Sequence, residues 1–415
     1  MGNNNIDYIF QMCRKRLYGD YYSLDRISES NISYKELLDD IFQNNLEAFL
    51  YPVLKQVKND DSYFYENFSA LEMAVKKWMF EELKKYQIIR TINSEAEKRG
   101  LNFVFFKGIV LADLYPQYAE RFSSDSDILV SDDQKTEAET LLKECGYSKY
   151  KEGSKEEVQV YANSTYGHTV ELHTRLWEDY TGPRIEVLKT MNLSSPETDI
   201  KIKACGIDIN TLGHEKHLVY QMFHIIKHFS LDGIGIRYLI DITLFVNKYF
   251  DEIDFTLFWK HMDMLGYTKF VEAFFRICIV ELKMTDKVFD NHQVKWDSSV
   301  ENLKLDLLKI GNIHDKEAGW QIMGAMEAYF TGEAKASDSS FKNKLRMAFP
   351  SVKALPKVYG YAKKCPILLP VAWIHRDVKF LIKKAIHKDD FYGINEKMSV
   401  ADRRLRLIKE LELTD

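Results

Sequence analysis

The sequence predicts an α+β protein: a small mixed sheet flanked by helices and embedded between an N-terminal and a C-terminal helical lobe. Three observations carry this expectation. Apolar residues recur at three- and four-residue spacing over 34–57, over 68–99 and again after Asn210. Between about residues 100 and 210, short apolar runs of strand length alternate with helical patterns. Only eight of the 415 residues are proline, and four of those fall in the last quarter, so long stretches can be helical.

Taken in order, residues 1–100 read as helical. Leu71, Val75, Trp78, Met79, Leu83, Ile88 and Ile92 make one apolar stripe, and Gly100 is a natural stop. Asn102–Phe106 and Ser126–Val130 read as strands, with a helical pattern over Gly108–Tyr115 between them. Asp133–Cys145 reads as a helix ended by Gly146. Glu157–Tyr161 and Gly167–His173 alternate as strands do. Helices are expected over His214–Phe229, Ile236–Phe250, Phe255–Leu265 and Thr268–Leu282. The expected regions are therefore 1–100, helical; 101–212, α/β; 213–335, a helical domain completing a cleft; and 336–415, a basic stretch punctuated by proline.

Composition removes some functions. Lys and Arg number 57 against 62 Asp and Glu, a net charge of −5. That excludes a uniformly basic nucleic-acid binder, and no DNA partner is expected. Hydrophobic residues make up 46 % of the chain, enough for large cores. The cysteines (Cys13, Cys145, Cys205, Cys278, Cys365) are scattered with no CxxC pair. Free thiols in a reducing cytosol fit better than disulfides or a zinc knuckle. No basic-then-apolar secretory signal opens the chain. The expectation is a cytoplasmic protein.

The chemistry concentrates between Phe105 and Val130. Asp125 and Asp127 are two residues apart at the start of a predicted strand, so both project from one face. Two carboxylates so close repel, and a divalent cation relieves them. Glu171, flanked by Val170 and Leu172 in another predicted strand, offers a third carboxylate. Two ions about 3.5–4 Å apart could then serve an in-line displacement at phosphorus. Lys107-Gly108 lies where a strand turns into a helix, a setting where backbone approaches phosphate closely. Arg121 adds a forked cation. A phosphate-plus-metal pocket is expected from Lys107, Gly108, Arg121, Asp125, Asp127 and Glu171.

This order of features resembles the uncharacterised nucleotidyltransferase family of the DNA polymerase beta-like superfamily. The resemblance rests on Lys107-Gly108, Leu111, Tyr115, Arg121, the Asp125-Ser126-Asp127 segment, Gly146-Tyr147 and Val170–Trp177. Further downstream it includes His224–His228, Arg237–Asp241, Phe349–Ser351, Leu369-Pro370, Trp373 and Arg376. It covers roughly residues 70 to 385. It implies a nucleotidyltransferase sheet, Mg2+ (with Mn2+ a substitute) and a nucleoside triphosphate. It also implies transfer of a nucleoside monophosphate with release of pyrophosphate. Asp125, Asp127 and Glu171 would be the catalytic metal ligands, and Lys107, Gly108 and Arg121 would hold the triphosphate. The superfamily's usual first motif is Gly-Gly or Gly-Ser; here it is Lys-Gly.

His173, two residues beyond Glu171 on the same strand face, could bind nucleotide or orient Glu171. His224 and His228 are four residues apart on one predicted helix, with His217 on the same face. Without a third ligand at zinc spacing, His224, Lys227 and His228 read as the lining of a polar cleft. Arg237 and Asp241 read as an ordinary intrahelical ion pair. Residues 342–388 hold twelve Lys or Arg against one acid, Asp377, so peripheral contact with an anionic membrane is one expectation. The acceptor is an unidentified small molecule, peptide or saccharide. Alternatives are a phosphotransferase on the same fold, a toxin–antitoxin nucleotidyltransferase, or a non-catalytic nucleotide-binding module.

Overall fold

In a computed structural model the chain is described over residues 2–19, 32–57, 62–150, 157–177, 183–193, 199–231, 233–289, 296–308, 349, 359–386 and 406–413. The N-terminal part holds α1 (Gly2–Tyr18), α2 (Tyr34–Gln43), α3 (Glu47–Val57) and the long α4 (Ser62–Lys98). The helical stretch expected over 34–57 is broken between α2 and α3. Asn45 there adopts φ 53°, and the buried Asn44 side chain accepts the Ile236 N–H at 2.9 Å. Asn44 thus ends one helix and caps another far along the chain. Gly100 ends the α4 segment with φ 70°, as expected.

The sheet has seven strands: β1 (Val104–Phe106), β2 (Asp125–Leu129), β3 (Ser148–Tyr150), β4 (Val158–Asn163), β5 (His168–His173), β6 (Ile200–Ala204) and β7 (Ile207–Thr211). Their order is β3-β4-β5-β2-β1-β7-β6. The pairs β2–β5 and β1–β7 are parallel and the others antiparallel, so the sheet is mixed, and the expected α+β class is what the chain adopts. Strand β3 and the β6–β7 hairpin were not among the expected strands. The hairpin closes on Cys205-Gly206, both at positive φ (49° and 72°), the turn that matches strand twist.

Further helices are α5 (Gly108–Ala112), α6 (Lys135–Glu144), α7 (Pro183–Thr190), α8 (His214–Leu231), α9 (Ile236–Tyr249), α10 (Phe255–Met264), α11 (Thr268–Leu282) and α12 (Ser298–Leu308). Strand parity decides which side each residue serves. Phe105, Ile128, Val170 and Leu172 pack with Ile89 and Ile92 of α4 and Leu141 of α6. Phe106 and Leu129 join the larger core built with α1, α3, α8, α9 and α11. Asp127 and Glu171 alternate with the first set, so they face the α8 side.

Of the basic stretch expected over 342–388, residues 349 and 359–386 are described; they include a helix, Leu369–Ile386. Residues 309–348 and 387–405 lie outside the described residues. Among the described residues no helix is long and apolar enough to cross a membrane. All five cysteines are free thiols.

Candidate functional site

Three consecutive elements build the floor of the site. β1 runs in at Phe106, Lys107 turns the chain, and Gly108 starts α5. Lys107 takes φ 54° and ψ −111°, a costly conformation for a residue with a side chain. Its N–H is held by Nε2 of His217 at 3.1 Å, and its Nζ reaches Asp127 Oδ1 at 2.7 Å. The ammonium also lies over the rings of Phe106 and Tyr220, at 5.5 and 5.3 Å from their centroids. A Cβ on Gly108 would come into contact with Ser123 Oγ at 3.4 Å and the Asp125 carbonyl at 3.5 Å, so the α5 start lies directly against the entry to β2.

β2 and β5 lie parallel with Asp127 directly beside Glu171 and Asp125 beside Thr169. Asp125, Asp127, Glu171 and His173 consequently share one face. His173 Nε2 stands 3.2 Å from Asp127 Oδ1 and 3.5 Å from Glu171 Oε2. Among the described residues, Asp127, Glu171 and His173 form a group whose ligand atoms lie within 4.8 Å of one another. That trio differs from the expected one: His173 is in it and Asp125 stands outside, although Asp125 lines the same cavity.

Charge coupling is strong. Burial, then Asp127 and Glu171, push the Asp125 carboxyl up to about 6. Burial also works to raise Asp127, but Lys107 and His173 outweigh it and hold that carboxyl down at about 2. For His173 burial favours the neutral ring, yet its bonds to Asp127 and Glu171 raise its pKa overall. Two carboxylates within ligand reach of one another, with a third, Asp125, lining the same cavity and pushed toward its protonated form by them, suit a hard divalent cation. The residues present therefore fit magnesium. Manganese would also tolerate the imidazole.

All ten residues expected from the sequence line one cavity of about 290 Å³: Lys107, Gly108, Arg121, Asp125, Asp127, Glu171, His173, His224, Lys227 and His228. Arg121 corrects its expected role. It is buried, and its Nε and Nη2 donate to the two oxygens of Asp241 at 2.8 and 2.9 Å. Tyr115 Oη adds a third bond to Asp241 at 2.8 Å. Both arms of the fork are thus taken up by protein, and Nη1 reaches the Gly108 carbonyl at 3.4 Å. Arg121 ties α5 to α9 rather than reaching for a triphosphate. The expected Arg237–Asp241 pair gives way for the same reason: Arg237 donates instead to the Phe122 carbonyl.

Several cavity residues were not expected as site residues. Tyr220 and Tyr238, and Arg237, which the sequence suggested only as an ion-pair partner, line the cavity with the histidines of α8. Tyr220 and His224 stack at 6.0 Å, and His224 meets His228 edge-on at 4.4 Å. Tyr220 was findable, being four residues before His224 on the same face. Lys85 and Glu82 were not. From α4, the buried Lys85 donates to the Ser123 carbonyl at 2.9 Å and pairs with Glu82, which accepts the Ser123 N–H at 3.3 Å. Ser123 Oγ then holds the Asp125 carbonyl at 2.7 Å. The loop entering β2 is clamped from a helix nearly forty residues earlier.

Two histidines behind the site set an acid limit. His168 sits between Ser126 Oγ at 2.9 Å and Tyr147 Oη at 2.5 Å, and His217 supports Lys107. Burial pushes each down to about 3. In the unfolded chain both would titrate near 6.5, so unfolding takes up a proton at each once the pH is below that value. Stability should therefore fall as pH drops from 6.5 toward 3, by about 1.4 kcal/mol per pH unit for each ring. Denaturant midpoints measured from pH 7 to pH 4.5 check this. In the double variant His168→Gln, His217→Gln the slope should flatten.

A family model described as an uncharacterised nucleotidyltransferase matches residues 30–280. The match starts earlier than the resemblance in the sequence and stops at 280, so Phe349, Trp373 and Arg376 lie beyond it. No curated protein and no solved structure was found to match the chain. With well over half its length matched, and with the carboxylates, Lys107 and Gly108 gathered inside that stretch, the chain belongs to the uncharacterised nucleotidyltransferase family.

Proposed function

We propose that the cavity binds a nucleoside triphosphate with magnesium and transfers its nucleoside monophosphate to an acceptor. The observation that carries this reading is the register of β2 with β5, which brings Asp127 beside Glu171 and leaves Asp125 on the same face, with Lys107 bonded to Asp127. Asp125, Asp127 and Glu171 would hold the metal, with His173 orienting Asp127. Magnesium, when bound, supplies positive charge against the triphosphate and the departing pyrophosphate.

The chain's own groups do the rest. Lys107 contributes a fixed cation, and Gly108 leaves its backbone open to a phosphate. Glu171, whose side chain is 31 % exposed, takes the proton from the acceptor's O–H or similar nucleophile. That atom bonds to the α-phosphorus as the bond to the α–β bridging oxygen breaks, and pyrophosphate leaves. Catalysis on this scheme is positioning and charge neutralisation. Lys227 and Arg237 line the same cavity from α8 and α9, which favours an acceptor bearing phosphate or carboxylate, on a small molecule, peptide or saccharide.

The test is incubation with magnesium, cell extract and triphosphates labelled at the α or the γ position. α-label on product, with pyrophosphate released, is the expected result. γ-label on product would instead mean phosphoryl transfer. Binding without turnover of any triphosphate would mean a nucleotide-binding module.

A further inference from the structure

The tail turns an apolar row toward solvent. Ile367, Val371, Ile374 and Val378, from the turn Pro366–Leu368 and the helix Leu369–Ile386, are 86, 51, 64 and 47 % exposed. Steps of three and four residues align Val371, Ile374 and Val378 on one face of the helix, over about 10 Å at 1.5 Å per residue, and Ile367 lies in the turn just before it. The helix packs by its other side, where Ala372 joins Tyr359 and Ala362 in a small core and Arg376 is buried. Single exposed isoleucines are ordinary, but an aligned row is a surface made to be covered.

Charge selects the cover. The sequence from Lys342 to Lys388 carries twelve cations and one anion. A second copy docking through the same face would set this cationic segment against itself. An anionic lipid surface suits both features: the aliphatic row would enter the boundary of the acyl region, and the excess of positive charge in this stretch of sequence favours anionic headgroups over neutral ones. Family membership does not account for the row, which lies beyond residue 280.

We propose that the helix Leu369–Ile386 lies in the interface of an anionic phospholipid membrane and docks the enzyme peripherally, with Ile367, Val371, Ile374 and Val378 facing the lipid. The proposal does not depend on the reaction assigned to the cavity.

Co-sedimentation of the full chain with sucrose-loaded vesicles tests it. Binding should be about tenfold stronger to phosphatidylcholine vesicles containing about 30 % phosphatidylserine than to phosphatidylcholine alone, and should weaken in about 0.5 M salt. The double variant Ile367→Asp, Ile374→Asp should lose that binding about tenfold while keeping the wild-type thermal midpoint. Ile374→Phe, which keeps the surface apolar, should retain it. Failure of the full chain to sediment with anionic vesicles would overturn the proposal, as would undiminished binding by the aspartate variant. A concentration-dependent dimer abolished by that variant, without vesicle binding, would overturn it in favour of a second copy.

Discussion

Asp125→Asn should abolish nucleotidyl transfer, by about a thousandfold, while making the metal-free protein more stable. The two effects have one cause. Burial and the neighbouring carboxylates Asp127 and Glu171 raise the Asp125 carboxyl to about 6, so its charge at neutral pH opposes folding. In sign, a carboxyl raised above its unfolded value near 3.8 adds stability below that value, and this is lost as pH rises through about 6. Amide in place of carboxylate removes the repulsion at a gain of order 1–3 kcal/mol at pH 7.5, and with it a metal ligand. Thermal melts with EDTA and with magnesium check this directly. Wild type should melt higher when magnesium is added, and the variant should melt higher than wild type in EDTA but respond little to the metal. A variant that is both inactive and less stable in EDTA would refute the reading of Asp125 as a strained ligand.

Asp241→Ala should be the most destabilising single change near the site. It leaves the Arg121 guanidinium buried without its counter-charge and removes the partner of Tyr115 Oη. Breaking one half of a buried ion pair costs about 3–5 kcal/mol, against about 1 kcal/mol or less for an exposed pair. The thermal midpoint should fall by roughly 5 °C. Arg237→Ala, which would match that loss were Arg237 the partner of Asp241, should cost far less because its bond goes to the Phe122 carbonyl. The double variant Arg121→Met, Asp241→Leu should recover most of the stability, since an apolar pair leaves no orphaned charge. Equal losses in Asp241→Ala and Arg237→Ala would contradict the pairing described above.

Together these expectations separate two kinds of buried charge. Asp125 is held against its preference, where a ligand can relieve it. Arg121, Asp241, Lys85 and Glu82 are already satisfied, and hold the loop from Arg121 to Asp125 between α9 on one side and α4 on the other. Removing the first kind should change activity without loss of fold. Removing the second kind should loosen the fold, and through it the spacing of the carboxylates.

The local pattern of the chain determined much of this protein. Alternation along 125–129 and 168–173 assigned Asp125, Asp127, Glu171 and His173 to strand faces, because side-chain direction in a strand repeats every two residues. Helical spacing likewise put His224 and His228 on one face, and Gly100 and Gly146 marked helix ends. The short β3 slipped past because its three residues are all exposed and carry little apolar signal. The β6–β7 hairpin was legible but unread: Ile200, Ile202, Ile207 and Ile209 alternate with polar residues on either side of Cys205-Gly206.

Only tertiary structure decided which partners these residues have. Whether Glu171 faced the aspartates or the opposite side hung on strand register, and a slip of one residue would have reversed it. Arg121 met Asp241 rather than a phosphate, and His217 met the backbone of Lys107, across more than a hundred residues in each case. Sequence spacing reports the direction a side chain leaves its own helix or strand, but burial forces every charge to find a counter-charge, and which one it finds depends on how whole elements pack.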